Sequence, residues 1–103
     1  MKVLKYKVNT PPELIEIENG LEAMQHEVDG YIETMTLVPD QAVMIVNEEG
    51  VLRGMSPNPS ASLTAGRPIF GNALVVGVNG DEFTDIPDDV LKCIRALIGG
   101  YKP

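Results

Sequence analysis

A chain of 103 residues can build one domain with a modest core and is too short for a second functional module, so a single domain over residues 1–103 is expected. Its 8 Lys and Arg against 15 Asp and Glu leave a net charge of −7, which disfavours direct contact with nucleic-acid phosphates and with anionic membrane surfaces. Cys93 is the only cysteine and His26, the only histidine, lies far from it, so an internal disulfide and a Cys/His metal cluster are both excluded and the chain reads as cytoplasmic.

Met1-Lys2-Val3-Leu4-Lys5 alternates charged and apolar residues and leads into no long apolar run, so neither a signal peptide nor a membrane span is expected there. Through residues 2–8, Leu4, Tyr6 and Val8 share one side while Lys5 and Lys7 take the other, the period-2 pattern of a half-exposed strand. Thr10-Pro11-Pro12 ends it, and the alternation resumes in Leu14 to Glu18, where Ile15 and Ile17 face together. An antiparallel hairpin follows from the two segments and the short turn between them.

Asn19 with Glu22 three residues on has the spacing of a capping box, predicting a helix over about Gly20 to Val28 with Leu21, Met24 and Val28 on its inner face and Gly30 as its stop. From Tyr31 to Leu37 the period is again two, until Pro39-Asp40 turns the chain. Ala42 to Val46 is apolar throughout, as expected of a strand covered on both faces, and Asn47-Glu48-Glu49-Gly50 turns it into a short return strand at Val51-Leu52.

Residues 53–68 are rich in Gly, Ser, Pro and Asn with few apolar anchors, which predicts the longest loop of the domain and the first place to look for a binding surface. Ile69 to Val78 reads as a Val-rich strand in which Gly71 and Gly77 mark bulges or close backbone approach. Asn79-Gly80-Asp81 turns out of it. The last element is a helix with Pro87 near its first turn, Asp88 and Asp89 at the positive end of its dipole, a core stripe of Val90, Leu91, Ile94, Leu97 and Ile98, and Gly99-Gly100 at its end. The whole predicts an α+β fold, a mainly antiparallel sheet with two helices packed on one face of it.

The order of the blocks carries a resemblance. Leu21-Glu22-Ala23-Met24, Val28-Asp29-Gly30-Tyr31-Ile32-Glu33, Val46-Asn47-Glu48-Glu49-Gly50, Pro57-Asn58 with Ala61, Ile69 to Gly77 and Phe83-Thr84-Asp85-Ile86 together resemble domain-of-unknown-function family 3846 over nearly the whole chain. The resemblance implies a short bacterial protein of phage or other mobile elements and imports no catalytic residue. Ile86-Pro87-Asp88 stands where that family more often has Leu-Thr-Asp, which removes the usual hydroxyl cap of the last helix.

No catalytic set emerges from the residues themselves, and no metal or cofactor site is expected. Glu48 and Glu49 are adjacent in a turn and point apart, Asp81, Glu82, Asp85, Asp88 and Asp89 lack EF-hand spacing, and neither Gly71-Asn72-Ala73 nor Gly77-Val78-Asn79-Gly80 precedes a helix as a phosphate-binding turn does. Cys93 is expected packed or half-packed beside Val90 and Leu97, and His26 solvated on the polar face of its helix. Asn58, held between Pro57 and Pro59, is placed to present a free amide, its plainer role being to hydrogen-bond the loop's own backbone. The expectation is thus a non-enzymatic accessory module that binds a protein or small ligand through the 53–68 loop and the Asn47 turn, with Asn47, Glu48, Asn58, Ser60 and Asn72 as contact residues and self-association open. An acidic mimic of DNA acting against restriction enzymes is the alternative.

Overall fold

A computed structural model describes all residues, 1–103. In chain order the elements are β1 (Lys2–Tyr6), β2 (Glu13–Glu16), α1 (Leu21–Val28), β3 (Ile32–Val38), β4 (Ala42–Asn47), α2 (Pro59–Ala65), β5 (Ala73–Asn79), β6 (Glu82–Thr84) and α3 (Asp88–Ile98). The strands form one six-stranded antiparallel sheet in the order β2-β1-β5-β4-β3, and β6 pairs with the far end of β5. The α+β architecture and the amino-terminal hairpin are as the sequence predicts, with Val3 opposite Ile15 and Lys5 opposite Glu13.

Helices lie on both faces of the sheet, not on one. Consecutive residues of the inner strands are buried on opposite sides, Val3 beside Leu4 and Leu74 beside Val75, so each face needs its own cover. Met24 and Val28 of α1 cover Val3, Ile45, Leu74 and Val76. On the other face Ala61 of α2 and Val90, Leu91 and Ile94 of α3 close over Leu4, Tyr6, Met44 and Val75. Register places Val43 opposite Val76 and Ile45 opposite Leu74, so these four residues belong to adjacent inner strands as expected, Val43 being half-buried. Full burial of such a side chain contributes about 1.5–3 kcal/mol.

Several local expectations are corrected. Val51 and Leu52 make no strand: β4 already has β3 on one side and β5 on the other, which leaves no vacant edge beside it. The chain instead coils through a tight turn in which Arg53 N–H donates to the Glu49 carbonyl at 2.8 Å and Met55 N–H to that of Gly50 at 3.0 Å. Residues 53–68 are not one loop, because α2 occupies 59–65. The capping box does not form either: Gly20 is the cap residue of α1, and the Asn19 amide donates to the Phe83 carbonyl at 3.1 Å. At the other end of α1 the left-handed residue is Asp29, with φ of 62°, one position before the expected Gly30. The strand expected from Ile69 begins only at Ala73, although Phe70 forms an isolated bridge with Pro57. In α3, Val90, Leu91 and Ile94 are buried, Leu97 is 50% exposed, and Cys93 stands exposed where a packed or half-packed thiol is expected.

Candidate functional site

Asn58 is not free. It is 2% exposed and caps α2: its Oδ1 accepts from Ala61 N–H at 3.2 Å, while Nδ2 donates to the Tyr6 and Gly71 carbonyls, both at 2.9 Å. Pro59 follows at the first helical position, where its missing N–H costs nothing. The two prolines therefore aim the amide inward, and Asn58 ties the end of β1 to the segment before β5. Asn72 adds to the tie by accepting from Val8 N–H at 2.9 Å. Ser60 is half-buried in the first turn of α2, where its carbonyl accepts from the Thr64 hydroxyl at 3.0 Å.

Thr64 links this bracket to the core. Its one hydroxyl proton goes to Ser60, so in the 3.0 Å contact between the Tyr6 and Thr64 oxygens the tyrosine is the donor. Burial pushes Tyr6 up to about 12, against the smaller opposing effect of the Thr64 hydrogen bond.

Asn47 is likewise structural, 5% exposed, with Nδ2 donating to the Val28 carbonyl at 2.9 Å and Oδ1 accepting from Glu49 N–H at 2.7 Å. It fastens the end of α1 to the turn after β4. Beside it opens a cleft of about 140 Å³ on the α2–α3 face of the sheet. Val46 and Ile69 form its apolar floor, Glu33 and Met35 of β3 make one wall, and Phe70 stands on another. Glu48 and Arg67, both exposed, also line it. Val51 and Leu52, 72% and 87% exposed, stand at the rim. The Gly50 turn lies tight against the 67–70 segment, because a Cβ on Gly50 would meet the Phe70 carbonyl oxygen at 2.7 Å. No substituent larger than hydrogen fits there without movement of the backbone.

Of the five residues read from sequence as contacts, the structure brings Asn47 and Glu48 to this cleft, and only Glu48 offers a free side chain. Asn58, Ser60 and Asn72 gather at the end of β1 instead. Sequence reasoning missed Glu33, Met35, Arg67 and Phe70, since nothing in the chain shows that β3 and the 67–70 segment converge. The one available signal was Val51-Leu52, an apolar pair directly after a turn. Elsewhere, no three His, Cys, Asp or Glu side chains come together in a group able to hold a cation, and the 81–89 acids form no such cluster. His26 is exposed on α1, as expected.

The fold and the cleft define a small α+β domain, one antiparallel sheet between helices with a shallow mixed hollow near one edge. The chain belongs to the family described as Domain of unknown function (DUF3846), whose model matches residues 1–100. No curated protein and no solved structure matches it. No helix is long and apolar enough to cross a membrane.

Proposed function

We propose that the chain is a non-enzymatic accessory module of bacterial phages or other mobile elements, acting in the cytoplasm, that docks a protein partner on the cleft between β3, the Gly50–Leu52 turn and the 67–70 segment. The observation that carries this reading is the pair Val51 and Leu52, apolar side chains held largely in solvent at the rim of a hollow. Isolated apolar residues on a surface are ordinary, but an exposed apolar pair flanked by charged side chains beside a concave floor is what protein partners cover. The hollow of about 140 Å³ is far below the roughly 300–1,000 Å³ of typical small-molecule pockets and close to the roughly 150 Å³ that holds a benzene, so it suits one partner side chain. The mobile-element setting comes from the family resemblance alone.

A photo-crosslinking amino acid placed at position 52 in the full chain, expressed in host cells, tests the reading, with position 18 as the control. A discrete protein adduct from position 52 and none from position 18 is the expected result. Equal labelling from both positions, or none, overturns it. An adduct with a nucleic-acid-binding protein whose yield collapses as salt rises would support DNA mimicry instead.

A further inference from the structure

We propose that the partner adds an extended segment to the free edge of β3, with a basic residue near Glu33 and Glu48 and two apolar side chains directed into hollows on the α2–α3 face. The inference rests on the protein-docking reading above and names its mode.

Ladder geometry shows which groups are available. Glu48 N–H donates to the Tyr31 carbonyl at 2.9 Å, and the register pairs Glu33 with Val46 and Met35 with Met44, so residues 31, 33 and 35 turn their backbone groups toward β4. Alternation then turns the N–H and C=O of Ile32, Thr34 and Thr36 outward, with no strand beyond them. The opposite edge differs: there Leu14 N–H donates to the Lys102 carbonyl and Lys102 N–H to that of Pro12, both at 2.8 Å. The seven residues of β3 include no lysine and no proline, the residues that commonly guard an edge.

Two hollows open beside this strand on the same face. The cleft already described is walled by Glu33 and Met35, and a second, also about 140 Å³ and mostly apolar, lies where Leu37 and Val38 meet Ile94 and the exposed Leu97 of α3. They are about four residues apart along β3, roughly 13 Å, which matches side chains at i and i+4 on one face of an added strand. A second copy of this chain fits poorly: the same-face Met35 and Leu37 of its β3 are already packed against their own core, and two surfaces of charge −7 repel. The same charge, with Glu33 and Glu48 outnumbering the one cation, Arg67, at the cleft, attracts a basic segment.

The test pans a displayed library of random ten-residue peptides against the purified full chain. Enriched peptides are expected to carry apolar residues at i and i+4 with Lys or Arg nearby, and to slow amide hydrogen exchange at Ile32, Thr34 and Thr36 at least tenfold while Glu33 and Met35 change little. Thr34→Pro, which removes an outward N–H and no ladder bond, should weaken binding at least tenfold. Failure to enrich any peptide, equal binding to Thr34→Pro, or exchange at the three amides that slows with protein concentration alone, the mark of a second copy, each overturns the proposal. The exchange readout on the wild-type chain keeps the test decisive if Thr34→Pro does not fold. A position-52 adduct with a partner that leaves the three amides unprotected overturns this mode and leaves the docking function standing.

Discussion

Residues 48–54 and 56–72 are built from similar material, glycines, polar residues and a few apolar side chains, and they border the same cleft. The second stretch is knitted into the interior by side chains that bond to backbone: Asn58 supplies three hydrogen bonds, Asn72 one, and Ser62 accepts from Ile69 N–H at 2.8 Å. The first is anchored by the preceding Asn47 and by Arg53, whose guanidinium donates to the Asp29 carbonyl at 2.6 Å, and Val51 and Leu52 are left in water. Composition alone does not distinguish a scaffold from an exposed rim. What separates them is where the carboxamides point, because a buried amide must find partners whereas an exposed rim has no such demand.

The largest expected effect sets the scale for that contrast. Leu74→Ala, at a fully buried position of the central strand, should cost about 2–5 kcal/mol in urea denaturation, and a loss near zero would contradict the placement of β5. If Asn58 is scaffold, Asn58→Ala should approach it at about 2–4 kcal/mol, since it removes a helix cap and leaves the Tyr6 and Gly71 carbonyls without a donor. Asn58→Asp sharpens the point: it keeps an acceptor for Ala61 N–H but sets a carboxylate against two carbonyls. Its folded pKa should lie above the ordinary aspartate value, so this variant should gain stability as pH falls, and a denaturation series showing no such recovery would mean the amide donors do not matter.

The Tyr6 hydroxyl gives an effect of intermediate size. With a folded pKa of about 12 against an ordinary 10, its contribution is complete below pH 10. Between pH 10 and 12 the unfolded chain loses the proton and the folded one keeps it, so stability falls by about 3 kcal/mol over that window. Tyr6→Phe should flatten this part of the pH profile, and equal slopes for the two proteins would refute the assignment. The smallest effect belongs to the rim: Leu52→Ser should change folding stability by no more than about 0.5 kcal/mol while reducing capture of the partner, and a large drop in melting temperature would show that the turn is scaffold after all.

Strands and the last helix were legible because their apolar residues repeat at periods of two or near 3.6, and the family was legible from block order. Helix α2 was not: it has a single buried anchor, Ala61, while Leu63 faces solvent, so its apolar periodicity is nearly absent. Asn58-Pro59 was nonetheless a helix-start signal, an N-cap before a first-position proline, read instead as a stiffened loop. Cover on both faces was hinted at by Val3-Leu4 and by the unbroken 42–46 run, yet which helix takes which face depends on packing that no local pattern encodes. The cleft was half visible, since Asn47 and Glu48 mark one side, but Glu33 and Phe70 reach it only through strand pairing and the Pro57–Phe70 bridge.

The close approach of Gly50 to the Phe70 carbonyl bears on how family members can diverge. Any side chain at position 50 would pry the turn from the 67–70 segment, so this contact is held by the requirement to fold. Glu48, Val51, Leu52 and Arg67 are exposed and carry no comparable packing demand. Substitutions can therefore change the rim without rebuilding the hollow. Aligned members of the family should keep glycine at position 50 and a buried amide at position 47 while the rim positions drift in charge and size.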